Sequence, residues 1–211
     1  MSGVRTPLTN IQGYLEALRD GVITADRSTY ESLHEEAERL VRLSGDLDAL
    51  AEGDAGTTPP TLVDLDLAMA LRSALDLVMP SIERAGLRLE AGGVPQALPA
   101  RADPDRLAQV LANLLSNAVR YTPSGGAITV GAERRPDDIL VSIANTGEPI
   151  PAGDLDHVFE RFYRVEKSRD RALGGAGIGL AIVKQLVEST GGRVGAESRD
   201  GQTRFWFSVP A

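Results

Sequence analysis

The chain has 211 residues, 42% of them hydrophobic, which is enough for one ordinary core and a small second unit. A formal net charge of −8 and the lack of a basic run disfavour nucleic acid as a partner, and with no cysteine and only two histidines there is no disulfide, thiolate metal site or thiol catalyst, and little basis for a zinc site. No run of about 18 apolar residues is present to span a membrane, and the start lacks the charged-then-apolar layout of a signal peptide, so the expectation is a cytoplasmic chain or the cytosolic part of something longer, with no direct membrane contact.

Residues 4–52 read as two helices. Val4, Leu8, Ile11, Leu15 and Leu18 recur at three- and four-residue spacing and form one apolar stripe. Asp20-Gly21 stops it, and Thr24 to Asp26 offers a new start. The second stripe runs through Tyr30, Leu33, Ala37, Leu40, Val41, Leu43 or Ser44, Leu47 and Leu50, with Glu and Arg on the other face. Two helices cannot bury both stripes alone. A homodimer through residues 4–52, closing a four-helix bundle, is one solution; packing of the hairpin on the neighbouring domain is the other.

"EGDAGTTPP" at 52–60 has linker composition. The organisation predicted is a helical hairpin at 1–53, a linker at 54–61 and a mixed domain at 62–211. In that domain Val63-Asp-Leu-Asp alternates like an edge strand, 67–85 is helical and stops at Gly86, and 87–90 alternates again. Asp103-Pro104 is a strong helix start, Asp as N-cap and Pro at the first helical position, and that helix runs to about Arg120. Strands are predicted at 126–133 and 138–144, a helix at 177–190 ending at Gly191-Gly192, and strands at 193–198 and 203–209. Helices and strands are mixed and the strands form hairpins, so the fold class is α+β, a two-layer sandwich.

Three segments stand out from plain packing. In "NLLSNAVRYT", 113–122, Asn113 and Asn117 share a helix face, with Arg120 and Tyr121 a turn further on. Carboxamides and a guanidinium there could hold a hydrated Mg²⁺ and phosphate oxygens, or simply face solvent. In "GGAGIGLAIVKQLVE", Gly175, Gly177 and Gly179 alternate ahead of an amphipathic helix, which suits backbone approach to a phosphate at a helix N-terminus, or a flexible loop meeting a helix. In "NTGEPI", 145–150, Asn145 could bond an adenine edge and Gly147 could let the base approach, or the stretch is a turn after a strand. Between the last two lies "HVFERFYRVEKSRDRALGG", aromatic at Phe159, Phe162 and Tyr163 and basic at Arg161, Arg164, Lys167, Arg169 and Arg171. A long segment of this kind reads as a functional lid.

The order of these pieces resembles the kinase core of a two-component sensor histidine kinase, a dimerisation and phosphotransfer hairpin followed by an ATP-binding domain of the GHKL type. "NLLSNAVRYT" is similar to that family's N box, "NTGEPI" to its G1 box, "FERFYR" to its F box, "GGAGIGLAI" to its G2 box, and "RTPLTNIQGYLEAL" to the end of its H box; the resemblance covers essentially 4–210. It implies ATP and Mg²⁺ as cofactors and a response-regulator receiver domain as partner. It further implies that Asn117 coordinates Mg²⁺, that Asn113 and Arg120 lie near the phosphates, and that Tyr121 lies near the nucleotide. Gly175, Gly177 and Gly179, with Leu180 in the same box, border the phosphates, and Phe159 and Phe162 anchor the lid. Asn145 stands where many members have an Asp that reads the adenine amino group, and Pro149 replaces a glycine of the usual G1 pattern. In this family the γ-phosphoryl of ATP passes to a histidine, followed by an acidic residue, five positions before the proline that is Pro7 here. Those positions hold Ser2 and Gly3. A serine without an adjacent base is a poor nucleophile at neutral pH, and neither His34 nor His157 lies in such a motif. The expectation is an ATP-binding chain that does not phosphorylate itself. A start trimmed or altered ahead of Val4 is one account, favoured by the intact sequence after it; natural loss of the acceptor, leaving an ATP-binding scaffold or regulator, is the other. Thr6 matches a residue that in relatives assists removal of phosphate from the regulator.

Overall fold

The computed structural model describes residues 5–33, 36–37, 59–165 and 177–210, and the chain divides into two compact units, residues 1–57 and 58–211. In the first unit, helix α1 spans Arg5–Arg19 and closes over Gly21, where the Val22 N–H reaches back to the Ala17 carbonyl at 2.8 Å. The predicted restart is present: the Asp26 carboxylate accepts from the Thr29 N–H at 2.8 Å, and residues 27–33 are helical. Leu8 and Leu15 are each 53% exposed and Tyr30 59%, so the stripe seen in the sequence is uncovered in the single chain. The positions predicted to continue the second stripe beyond 37, and the linker at 54–58, lie outside the described residues.

The second unit holds strands β1 (Val63–Asp66), β2 (Arg88–Gly93), β3 (Pro99–Ala102), β4 (Ala127–Arg134), β5 (Asp138–Thr146), β6 (Val194–Arg199) and β7 (Gln202–Pro210), and helices α2 (Leu67–Arg84), α3 (Pro104–Tyr121) and α4 (Gly179–Ser189). Five strands form one sheet in the order β2-β4-β5-β7-β6, with β2 and β4 parallel and the other neighbours antiparallel. Alternate residues of β4, β5 and β7 (Ile128 and Val130; Ile139, Val141 and Ile143; Phe205, Phe207 and Val209) point to one face. They share a core with Leu71 and Leu75 of α2, Leu111 and Leu114 of α3 and Val183 and Val187 of α4. One helical layer on one sheet is the sandwich the sequence predicts. On the opposite face Trp206 pairs with Gly195, and any side chain at 195 would collide with its indole ring.

Local chemistry explains the element ends. Helix α2 stops because Gly86 takes φ +66°, a region costly for residues bearing a Cβ, letting the Leu87 N–H bond the Ile82 carbonyl at 3.0 Å; Gly191 ends α4 in the same way. β5 runs two residues past its predicted end, which brings Asn145 and Thr146 into register with Thr203 and Gln202. β3 is absent from the sequence reading. Its PARA segment has no apolar alternation, and it is a strand only because β1 pairs with it, Val63 opposite Ala102.

Two buried-edge carboxylates cap the helices. Asp66 accepts from the Leu98 N–H at 2.8 Å and the Ala68 N–H at 3.0 Å, and the Leu98 bond is the main reason its carboxyl lies below the ordinary range. Asp103, 9% exposed, accepts from Asp105, Arg106 and Thr61 N–H groups. Burial pushes its carboxyl upward, but those bonds and the Arg106 charge outweigh burial and hold it low. Carboxyls lowered on folding stabilise above their unfolded pKa, and that contribution is lost as pH falls through the lowered value. The contribution of these two carboxyls is therefore expected to be level above about pH 4 and to decline below it. Asp103→Ala is expected to cost roughly 1–2 kcal/mol, a fall of about 2–8 °C in Tm for a unit of this size. Thermal unfolding across a pH series checks both.

Candidate functional site

Helix α3 is the spine of the site. Leu107, Val110, Leu111, Leu114, Leu115 and Ala118 bury one side of it, which leaves Asn113, Asn117 and Arg120 half-buried on the other and Tyr121 at its end 42% exposed. The four-residue step puts both carboxamides on one face. Asp103 fixes where the helix begins, and the buried Thr122 hydroxyl, donating to the Ala118 carbonyl at 2.5 Å, fixes where it ends.

Two glycine segments close on this face from different strands of the chain. Gly179, the first residue of α4, lies so near Asn113 that a Cβ there would stand 3.4 Å from its Oδ1. Gly147, just past β5, approaches the other end, and a Cβ there would stand 2.7 Å from the Tyr121 carbonyl oxygen and 3.5 Å from Asn145 Nδ2. At Gly147 an added side chain would collide with the Tyr121 backbone, whereas at Gly179 it would only touch the Asn113 side chain; both bring backbone close to α3. Asn145 is 4% exposed; its Nδ2 donates to the Thr146 carbonyl at 3.3 Å, which leaves the side-chain oxygen as the atom able to accept a bond. Leu180 follows in the first turn of α4 and packs on the core.

The aromatic segment after β5 runs in successive tight turns. The His157 N–H bonds the Asp154 carbonyl at 3.0 Å and the Glu160 N–H bonds the His157 carbonyl at 2.8 Å. Phe159 packs edge-to-face on Phe205, ring centroids 6.2 Å apart. Phe162 does not anchor the segment with its ring, which is 67% exposed; its φ of +65° turns the side chain outward, and its backbone N–H instead bonds the Gly177 carbonyl at 2.8 Å. The expectation of two aromatic anchors is thus corrected to one ring and one backbone contact. Gly177, the predicted start of that helix, stands outside α4, two residues before its observed first residue, with φ +71°. Arg161 and Arg164 are exposed. His157 is exposed and its Nδ1 lies 2.7 Å from Glu160 Oε1, a bond that raises the basicity of the imidazole. Tyr163 donates to Asp154 Oδ1 at 2.6 Å, a pairing across nine residues that no sequence spacing announces.

Ser2 and Gly175 lie outside the described residues, as do Lys167, Arg169, Arg171 and His34. Thr6 sits in the first turn of α1, in the other unit. Among the described residues no group of three or more His, Cys, Asp or Glu could hold a metal ion. The donors on α3 are carboxamide oxygens, hard neutral ligands suited to magnesium, which fills its other positions with water and substrate phosphates. The bare backbone at Gly179 leaves room for such phosphates beside Asn113. The residues fit that ion.

Residues 102–211 match the family described as histidine kinase-, DNA gyrase B- and HSP90-like ATPases, and residues 3–56 match the His Kinase A (phospho-acceptor) domain. The signal transduction histidine-protein kinase BaeS of Escherichia coli is 37% identical over 208 residues, which are 98% of this chain and 44% of BaeS. The chain spans a little under half the length of the first curated relatives it matches. Among solved structures, the Acinetobacter baumannii histidine kinase AdeS superposes with a TM-score of 0.79 at 24% identity, covering 98% of this chain and 95% of that one, a likeness of fold. Full-length ShkA, solved in complex with AMPPNP, gives a TM-score of 0.73 at 29% identity, covering 98% of this chain and 43% of that one.

Proposed function

The chain belongs to the two-component sensor histidine kinases, and from that premise we propose that it is a kinase core that binds ATP with magnesium along α3. One observation carries the reading: α3 is met at Asn113 by Gly179 and at Tyr121 by Gly147, so three separate segments bring bare backbone and carboxamides together along this helix. The AMPPNP complex of ShkA supports an adenine nucleotide as the ligand. Asn117 would hold magnesium, with Asn113 and Arg120 toward the phosphates. Gly175, Gly177, Gly179 and Leu180 border them, Asn145 and Gly147 take the adenine, and Tyr121 flanks the nucleotide. Bound magnesium would neutralise charge on the phosphates as the γ-phosphoryl is transferred. The chain's own residues bind and orient the nucleotide, the larger part of catalysis in phosphoryl transfer.

The uncovered Leu8, Leu15 and Tyr30 support a homodimer through residues 4–52. The phosphoryl group's destination would be a histidine on that hairpin and then a response-regulator receiver domain. Among the described residues no helix is long and apolar enough to cross a membrane, and a cytoplasmic site of action is proposed. Ser2 and Gly3 occupy the acceptor and acidic positions, so this chain is proposed to bind ATP without phosphorylating itself. The same two residues favour a second reading, an ATP-binding scaffold or regulator; phosphate removal from a receiver domain assisted by Thr6 would separate the two, because a pure scaffold would not speed it. Calorimetric titration with ATP is expected to give saturable binding, one nucleotide per chain, tightened by magnesium and competed by ADP. Failure to bind would overturn the proposal.

A further inference from the structure

We propose that the Asp154–Tyr163 hydrogen bond is a positioning pair that holds the N-terminal end of α4 against the phosphate-binding face of α3. The proposal rests on the nucleotide reading above and adds to it two residues outside the set assigned there to the nucleotide. Residues 151–163 leave β5 as four linked turns, Asp154 N–H to Pro151, His157 to Asp154, Glu160 to His157 and Tyr163 to Glu160, at 2.9, 3.0, 2.8 and 3.3 Å. Turns of this kind have little stiffness of their own, since each adds one bond for three ordered residues. Several contacts tie the run down, among them Arg161 Nη2 to Gln185 Oε1 at 3.5 Å, and two matter here. The buried Val158 and the Phe159 ring fix its middle to the sheet, and the 2.6 Å bond from Tyr163 Oη to Asp154 Oδ1 fixes its far end to its beginning. Both partners are half-buried, and the His157 ring stands 5.4 Å from that of Tyr163.

What the far end touches gives the bond its role. Phe162, immediately before Tyr163, is held at φ +65°, a conformation that is strained for a bulky residue and persists only where its surroundings impose it. In that conformation its N–H meets the Gly177 carbonyl at 2.8 Å, and the Gly177 backbone nests so closely that a Cβ there would stand 2.8 Å from the Tyr163 carbonyl oxygen. Ile178, 3% exposed, then leads into α4, whose first residue Gly179 lies against Asn113. Ile178 makes no side-chain cap, so the first N–H groups of α4 have no such partner from it. The path from Tyr163 to Asn113 is therefore a run of direct contacts through Gly177, Ile178 and Gly179. Breaking the Asp154 bond removes one of the constraints on Tyr163 and so loosens Phe162 and the seat of Gly177. The adenine end, at Asn145 and Gly147, is not on this path.

The test compares Mg·ATP with adenosine, the first reading both ends of the site and the second only the base end. Tyr163→Phe and Asp154→Ala are each expected to weaken Mg·ATP about fivefold, the size of one hydrogen bond, and to leave adenosine affinity unchanged. Asp154→Asn keeps an acceptor and is expected to stay within about twofold of the parent chain. Because either change alone breaks the same bond, the double variant Tyr163→Phe/Asp154→Ala should be no weaker than the single ones. Equal losses for ATP and adenosine would mean general loosening and overturn the proposal, as would additive losses or undiminished ATP affinity in the single variants. A parent chain that binds no ATP would instead overturn the nucleotide reading itself, a result readily told apart from an unchanged ratio.

Discussion

Incubated with γ-labelled ATP and magnesium, the chain is expected to take up no label, and the double variant Ser2→His/Gly3→Glu to take up label that is lost in acid and kept in base. An imidazole nitrogen attacking the γ-phosphorus forms a P–N bond as the bond to the β-bridging oxygen breaks and ADP departs. The P–N bond is acid-labile, unlike a serine phosphoester, so the product reports which atom attacked. The expected gain over the parent chain is at least about a hundredfold, the lower end of what a positioned acid or base adds to a nucleophile. The rest of the motif, Arg5, Thr6 and Pro7, is in place on α1. Acid-stable label on the parent chain that is lost in Ser2→Ala would show Ser2 acting as acceptor. Silence of the double variant, with ATP still bound, would favour the scaffold reading.

Replacing Asn117 with alanine is expected to remove most of the magnesium-dependent part of ATP binding, weakening Mg·ATP by about ten- to a hundredfold, or about 1.4–2.8 kcal/mol. ATP affinity measured without magnesium should change little. The reason is chemical. With no cluster of three or more acidic or histidine side chains among the described residues, a divalent ion near α3 has carboxamide oxygens and phosphates to bind. Losing one of so few protein oxygens is costly, while Asn117 is only half-buried and its removal leaves the Leu114, Leu115 and Ala118 side of the helix intact. Calorimetry with and without magnesium reads the difference. An equal loss in both conditions would mean that Asn117 acts on the nucleotide or on α3 itself.

The helices were legible because their signals are local. Asp103-Pro104 and Gly86 announce their caps within four residues, and the same residues make the bonds that the cap chemistry requires. Strands β4, β5, β6 and β7 were legible to within two residues from alternation and turn composition. β3 was not, because nothing in Pro99–Ala102 favours a strand except its pairing with β1, and that pairing is made across more than thirty residues of sequence. The site divides along the same line. The four-residue step from Asn113 to Asn117 is local and readable; the meeting of Gly179 with Asn113 and of Gly147 with Tyr121 is tertiary, and only the order of motifs hinted at it. The outward turn of Phe162 and the Tyr163–Asp154 bond lie in a segment with no periodicity, where residue type says little about direction.

The stacking of Trp206 on Gly195 has a practical side. The chain contains a single tryptophan, and it sits on the sheet face away from the helices, paired across β6 and β7. Its emission is thus an optical gauge of one sheet in one unit, silent about the helical hairpin, whose aromatic residues are tyrosines. Melting followed by helical ellipticity reports the hairpin together with α2, α3 and α4, so a phase of ellipticity loss that indole emission does not follow reports the hairpin coming apart independently of the sheet.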